Sequence, residues 1–264
     1  MESPIVTLIT DWGYRDFFAG MVKGRLCSYI PGVRVVDITH GIDPYQISSA
    51  IFVARQSCRE FPKGTIHLID VKSTYTPKNP HIVAEHEGQY YICTDNGLPH
   101  ALFGDDTSHM AVIDSADSQK GFGNFAAYDI FCQVAARLAQ GARINQLGQP
   151  PQSLTRYIPL APTCNNNVYK THVAYIDAYG NADLSMSYEE FERERQGRDF
   201  EVMVHEMRLS SLQTSYAGTE VGNRRAALLL TVSSTGRLQL AIREGSAEQL
   251  FGLQVMESIT IRFF

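Results

Sequence analysis

Residues 33–70, VRVVDITHGIDPYQISSAIFVARQSCREFPKGTIHLID, change their hydrophobic period twice. Residues 33–38 form a β-branched run closed by Thr39-His40-Gly41. Residues 45–61 place apolar side chains at near-helical spacing until Pro62-Lys63-Gly64, and residues 65–69 return to a short apolar run that ends at Asp70. The order is strand, helix, strand. Upstream, residues 5–9 are another short apolar run, ending in Thr10-Asp11-Trp12-Gly13, and residues 17–30 are helical in pattern until Pro31-Gly32. Strands alternating with helices imply right-handed βαβ crossovers and a mainly parallel sheet.

Further along, residues 81–84 and 89–93 predict a hairpin around Glu87-Gly88, and residues 130–139 a helix stopped by Gly141. Residues 146–167 are rich in Pro, Gln, Asn and Thr, which suits a surface linker. Beyond it, β-rich segments at 172–176, 200–204, 226–232, 237–242 and 258–263 are separated by turn residues, and only 188–195 predicts a helix. The expected organisation is an α/β N-terminal domain (1–150), a linker (151–168) and a smaller, antiparallel β-rich C-terminal domain (169–264).

Composition narrows the function classes. With 264 residues and 44% of them hydrophobic, the chain can bury a sizeable core. A net charge of -5 with no basic stripe argues against nucleic acid as a partner. The N-terminal stretch has no signal-peptide pattern and no segment approaches the roughly 20 apolar residues of a membrane helix, so the expectation is a cytoplasmic protein with no membrane partner. The five cysteines form no C-x-x-C pair and have no histidine at metal-ligand spacing; they are expected to be reduced, small core residues, with no metal site.

From the residues alone, Asp11 and Asp70 each follow a predicted parallel strand, at the carboxyl edge where open α/β sheets bind ligands. Asp11 could equally be a turn or N-cap aspartate, and Asp16 could cap the helix that follows it. Asp177-Ala178-Tyr179-Gly180-Asn181 combines a carboxylate ending a strand, a glycine that permits a tight turn and an amide that offers both donor and acceptor; an Asx-type β-turn is its plain alternative. Ser233-Ser234-Thr235-Gly236 reads as a hairpin turn.

Eight segments taken together resemble the S-adenosyl-L-methionine hydroxide adenosyltransferase family, whose relatives include halogenating enzymes acting on the same substrate. They are TDWGYRD (10–16), KG (23–24), VVDITHGIDPYQISSA (35–50), FPKGTIHLIDV (61–71), TDNGL (94–98), FAAYDIF (125–131), YIDAYGN (175–181) and GRLQLAIREGSA (236–247). They run in the family's order over nearly the whole chain. The resemblance implies an α/β domain followed by a β-rich domain, and hydrolysis of S-adenosyl-L-methionine to adenosine and L-methionine by attack of water at C5'. It implies no separate cofactor, a nucleoside ligand, and a homotrimer with sites between subunits.

Carried over by this resemblance, Asp11 holds the ribose diol, Asp16 and Asp177 meet the methionine ammonium, and Asn181 and Ser234 meet adenine. Tyr45, Phe125 and Tyr179 line the nucleoside pocket, although each taken singly is more often a core residue. Trp12 reads as packing. Asp37, His40, Asp95 and Asn96 read as loop structure.

Asp70 matches the aspartate of an Asp, Arg, His set that positions and activates water in the family. The other two members are missing. Residues 71–79 replace a Gly-rich turn leading to the arginine and are longer than it; Ala126 stands where the histidine would be. His81 or Lys78 are the residues that could fold back in their stead. S-adenosyl-L-methionine carries its own leaving group, so positioning alone can give some rate, and losing acid-base help typically costs about 10²–10⁴-fold. The expectation is therefore a hydrolase with Asp70 as its surviving catalytic group, slow if nothing substitutes. A non-catalytic binder of S-adenosyl-L-methionine or adenosine is the alternative, as is the same fold with another ligand. A halide nucleophile is disfavoured, because an ionised Asp70 repels an anion and Ala127 supplies no side-chain donor.

Overall fold

The computed structural model describes residues 3–114, 124–159, 162–165, 167–216 and 228–264. The chain forms two compact units, Met1–Ile158 and Pro159–Phe264. The first contains β1 (Ile5–Thr10), α1 (Phe18–Tyr29), β2 (Arg34–Thr39), α2 (Ile47–Ser57), β3 (Ile66–Asp70), β4 (His81–His86), β5 (Gln89–Thr94), α3 (Leu98–Phe103), β6 (Met110–Ile113), α4 (Cys132–Ala139) and β7 (Gly148–Gln149).

Its sheet is mixed, in the order β2-β1-β3-β5-β4-β6-β7. The half made of β2, β1, β3 and β5 is parallel, as the alternation of strands and helices predicted. The half made of β4, β6 and β7 is antiparallel, because the tight Glu87-Gly88 turn, with both residues at positive φ, folds β4 back on β5. Core packs on both faces. Val6 and Leu8 of β1 meet Val22 and Leu26 of α1 and Phe131, whereas Ile9 of β1 and Ile69 of β3 meet Ala50 and Ala54 of α2. A strand covered on both sides reads as a continuous apolar run, which is why 5–9 and 66–69 carry almost no polar alternation. Each such Leu or Ile contributes about 1.5–3 kcal/mol, enough to make the strand ends a rigid platform.

The helix expected over 130–139 starts earlier. Ala127–Phe131 is a π-helical stretch running into α4, and π-bulges gather where a helix is bent to serve a site. Residues 151–158, expected as linker, are tied to the first unit: the Thr155 N–H donates to both carboxylate oxygens of Asp95 (3.0 and 3.1 Å) and the Tyr157 N–H to His100 Nδ1 (3.2 Å).

The second unit contains β8 (Thr163–Asn165), β9 (Val168–Ile176), β10 (Ala182–Ser187), α5 (Tyr188–Arg195), β11 (Phe200–Val204), β12 (Met207–Leu209), β13 (Leu228–Val232), β14 (Arg237–Ile242), α6 (Ala247–Phe251) and β15 (Ser258–Phe263). Its sheet runs β12-β11-β15-β9-β10-β14-β13, with β8 added to β9, and every pairing of these strands is antiparallel. The expected strand at 226–232 is β13, its first two residues lying outside the described ones. α5 is helical as predicted, fixed by the reciprocal Ser187–Glu190 capping box. The short α6 adds a second helix that the sequence pattern did not predict.

Among the described residues no helix is long and apolar enough to cross a membrane. All five cysteines are free; Cys58, Cys93 and Cys132 are buried, but Cys27 and Cys164 are exposed, so the expectation that all five are core residues fails for those two.

Candidate active site

Thr10 and Asp70 are register partners across β1 and β3, so Asp70 and Asp11 emerge side by side at the carboxyl edge of the parallel half-sheet. Asp70 is 2% exposed. Burial pushes its carboxyl up to about 7; the Ser73 hydroxyl opposes that rise, the Asp11 charge adds to it, and the Trp12 ring N–H and Ala127 backbone N–H oppose it. Its Oδ1 is buried with no hydrogen-bond partner. A buried acceptor left open in this way is costly, by about 1–3 kcal/mol, and is the arrangement expected where a further molecule is to be bound.

Asp11 accepts the Tyr45 backbone N–H at Oδ2 (2.9 Å), which ties the β1 loop to the turn before α2, where Tyr45 has φ 68. The turn role weighed for Asp11 is therefore real. The Tyr45 side chain is 71% exposed and so is not a core residue. Asp16 is exposed and does not cap α1: the N-cap is Phe17, with no side-chain cap bond. Phe125 packs edge-on to Trp12 (5.0 Å) and Phe18 (5.2 Å). Trp12 in turn stacks on His40 (5.7 Å), so it is packing, as expected.

The matched blocks around these residues are scaffolding: His40, Asp95 and Asn96 lie in loops, as expected, whereas Asp37, expected in a loop, lies in β2. His40 is buried, its Nδ1 2.6 Å from Thr10 Oγ1 and its Nε2 3.2 Å from Asp37 Oδ1. Burial holds His40 below its ordinary pKa despite Asp37 beside it. Asp37, partly buried, is kept below the usual carboxylate range by Lys23 at 2.6 Å and by His40. Asn96 Nδ2 donates to the carbonyls of Val71 and Lys72 (both 3.1 Å), and Asn79 Nδ2 donates to the Asp95 carbonyl (2.7 Å). The 71–79 segment is thus pinned at both ends. Lys78 lies exposed on it, while His81 is 3% exposed and places Nε2 2.9 Å from the Ser73 carbonyl.

In the second unit Asp177 closes its own turn. Oδ1 accepts the N–H groups of Tyr179 and Asn181 (both 2.9 Å), and Oδ2 accepts Asn181 Nδ2 (3.0 Å). This is the Asx-type turn weighed above, carried to its full extent. Gly180 has φ +77, and a Cβ there would sit 2.0 Å from Ser246 Oγ, the cap of α6. The REGSA end of the last matched block is therefore what the turn rests on. Tyr179 is 80% exposed at its tip; Asn181 is buried, and Ser234 is exposed at the β13–β14 hairpin.

A residue that the sequence reading did not single out lies nearby. Asp183 on β10 is 5% exposed, accepts Gln239 Nε2 at Oδ1 (3.0 Å) and Thr235 Oγ1 at Oδ2 (3.5 Å), and is pushed up by burial to about 6. The alternation of Ala182, Leu184 and Met186 with Asp183, Ser185 and Ser187 is the signal for β10, but it does not mark the acid at its polar position as buried. Among the described residues no cluster of His, Cys, Asp and Glu could hold a metal ion.

Residues 6–148 match the family model for the SAM hydroxide adenosyltransferase N-terminal domain, and residues 171–260 match that for the C-terminal domain of the same family. The chain is 27% identical over 263 residues, 95% of each chain, to the (R)-S-adenosyl-L-methionine hydrolase of Salinispora tropica. It is 24% identical over 258 residues to the protein of the same name from Salinispora arenicola, covering 96% of this chain and 95% of that one. Its fold is similar to the crystal structure of an uncharacterized conserved protein from Thermotoga maritima, with a TM-score of 0.84, 23% identity, and 98% and 99% of the two chains covered.

Proposed function

The chain belongs to the SAM hydroxide adenosyltransferase family, and from that premise we propose that it hydrolyses S-adenosyl-L-methionine to adenosine and L-methionine. The observation that carries this reading is Asp70: a carboxyl buried at the sheet edge beside Asp11, poised near pH 7, with Oδ1 open. A general base works best when its pKa lies near the working pH.

In this reading water stands between Asp70 and C5' of the bound nucleoside. Its oxygen forms the new bond to C5' as the C5'–S bond breaks and its electron pair returns to sulfur, leaving neutral methionine thioether. The water proton passes to ionised Asp70 and then to solvent. Asp11 accepts from the ribose hydroxyls, its orientation fixed by the Tyr45 N–H. Tyr45 and Phe125 supply aromatic faces to the nucleoside, and Asp16 takes the methionine ammonium. In the second domain Asp177 and Tyr179 at the turn, with Asn181 and Ser234, are proposed for the ammonium and the adenine edge; Asp177 would do so with its turn bonds already made. No cofactor is required. We carry the homotrimer and a cytoplasmic location as parts of the same proposal; sedimentation of the purified protein tests the first.

Ala126, in place of the family histidine, favours a second reading, a binder without turnover. One experiment separates the two. Purified protein is titrated with S-adenosyl-L-methionine while adenosine and methionine are quantified. Equimolar release of both above the uncatalysed rate is expected, whereas saturable binding without release establishes the binder and no binding overturns both.

A further inference from the structure

A row of buried polar side chains crosses the sheet of the first unit at the end that carries Asp70. Thr10 of β1 is the register partner of Asp70 of β3, and Thr94 of β5 is that of His81 of β4. β3 and β5 are parallel and in register from Ile66–Tyr90 to Leu68–Ile92, and two residues further along each strand are Asp70 and Thr94. None of the four is more than 3% exposed. Because side chains alternate across a strand, Asp70 shares the face of Leu68, Thr94 that of Ile92 and His81 that of Val83. Leu68, Ile92 and Val83 belong to one core with Ala127 and Phe131 of the π-helical stretch, and the Phe131 ring lies 5.1 Å from that of His81. Asp70 and Thr94 are therefore neighbours on a single covered face, on strands roughly 4.8 Å apart.

The outer members of the row are engaged: Thr10 Oγ1 is 2.6 Å from His40 Nδ1, and His81 Nε2 is 2.9 Å from the Ser73 carbonyl. The inner two are open. Asp70 Oδ1 and Thr94 Oγ1 are both buried without a hydrogen-bond partner. The other such atoms among the described residues do not form a pair of this kind: Asp37 Oδ1 and His40 Nε2 face each other at 3.2 Å, His67 is on the opposite face of β3, and His172 is in the second unit. Thr94 is held in place, since its carbonyl accepts the Asn96 N–H (2.8 Å) and its strand pairs with β4. An open carboxylate oxygen beside an open hydroxyl fits one small molecule that donates to the first and bonds to the second.

We propose that Thr94 is a second holder of the nucleophilic water, which bridges Asp70 Oδ1 and Thr94 Oγ1. The proposal rests on the hydrolase reading. Held by the carboxylate alone, the water can swing about one hydrogen bond; a second contact from a fixed strand end sets where its lone pair points, as attack in line with C5'–S requires. In the step, the water oxygen bonds to C5', the C5'–S electron pair returns to sulfur and the water proton passes to Asp70. Thr94 keeps its own proton throughout.

The test uses Thr94→Val, which replaces the hydroxyl by a methyl of the same shape, and Thr94→Ser, which keeps it. For both variants and the wild type, kcat, KM and the thermal midpoint are measured on the full chain. Loss of one hydrogen bond corresponds to roughly 2–10-fold, so Thr94→Val is expected to lower kcat by about that factor. KM should not change, because Thr94 meets the water and not the nucleoside. Thr94→Ser should hold kcat near the wild-type value. The midpoint of Thr94→Val should stay or rise, since an open buried hydroxyl has been exchanged for an apolar group. A hydroxyl that served only the fold would give the reverse, a lower midpoint with kcat intact. Unchanged kcat in Thr94→Val overturns the proposal, and so does an equal loss in Thr94→Ser. If the wild type binds S-adenosyl-L-methionine without turnover, the hydrolase reading fails instead. A crystal structure of the free wild type then judges the pair: one ordered water within hydrogen-bond distance of both atoms supports the bridge, and water on one or neither overturns it.

Discussion

Asp70 and Asp183 are both aspartates on strands, both nearly devoid of solvent contact, and both pushed upward by burial, to about 7 and about 6. They differ in what surrounds them. Asp183 has both oxygens engaged, Oδ1 by Gln239 and Oδ2 by Thr235, and Gln239 Oε1 accepts the Tyr216 hydroxyl at 2.6 Å, so the carboxylate is one knot in a closed network. Asp70 keeps Oδ1 without a partner. A raised pKa alone therefore does not mark a reactive group, since desolvation produces it in both places. The open oxygen does, because a closed network has nothing left to offer a substrate.

The largest effect should come from removing the open carboxylate. Asp70→Asn keeps the shape and loses the base, and hydrolysis should fall by about 10²–10⁴-fold. Binding of S-adenosyl-L-methionine should persist. The same substitution should raise stability at alkaline pH: a carboxyl lifted from about 3.9 in the unfolded chain to about 7 when folded contributes stability that is complete below about pH 4 and lost as pH rises through 7. Chemical denaturation at pH 5 and pH 8 checks this: the loss of stability between the two should be smaller in the variant than in the wild type, the remainder coming from Asp183. An Asn variant that turns over normally would remove Asp70 from the chemistry and erase the contrast with Asp183.

Asp11 sharpens the comparison from the other side, because its charge raises Asp70 electrostatically. Asp11→Ala should weaken nucleoside binding by about 1.5–3 kcal/mol if the carboxylate holds the ribose diol. It should also move the rising limb of kcat/KM to lower pH, since a neighbouring negative charge is gone. Calorimetric titration with adenosine reads the first effect without any turnover. Unchanged affinity in a folded variant returns Asp11 to bracing Tyr45 and nothing more.

Much of the first half of this site was legible because parallel strands covered on both faces announce themselves as apolar runs, and each run here stops at its aspartate: Ile5 to Thr10 before Asp11, Ile66 to Ile69 before Asp70. The Asp177–Asn181 turn was legible in composition, though not in how completely Asp177 would be used inside it; local side-chain to backbone bonds of this kind follow from geometry that spacing does not encode. Ser73 was invisible because its partner across space, His81, lies beyond a segment with no periodicity. The π-helical stretch at Ala127–Phe131 has no sequence signature distinct from the helix it joins. Asp183 was missed for a different reason: the alternation around it was regular, but a charged residue at a polar position of a strand ordinarily faces water, and only the tertiary structure that brings Gln239 and Thr235 to its carboxylate distinguishes it.

The smallest expected effect is at Asp183. Asp183→Asn keeps an acceptor for Gln239 and presents an amide donor toward Thr235, so the network can stay closed. Its folded pKa of about 6 lies above the unfolded value of about 3.9, so the wild type should lose stability as pH rises from about 4 to 6. The variant should lose less, keeping only the part that Asp70 contributes. Because the charge is well bonded, the difference between pH 5 and pH 8 should be on the order of 1 kcal/mol, less than at Asp70, and turnover should be untouched. If Asp183→Asn instead lowers turnover as Asp70→Asn does, then satisfaction of the oxygens is not what separates a structural carboxylate from a reactive one in this fold, and the network at Gln239 and Tyr216 belongs to the site.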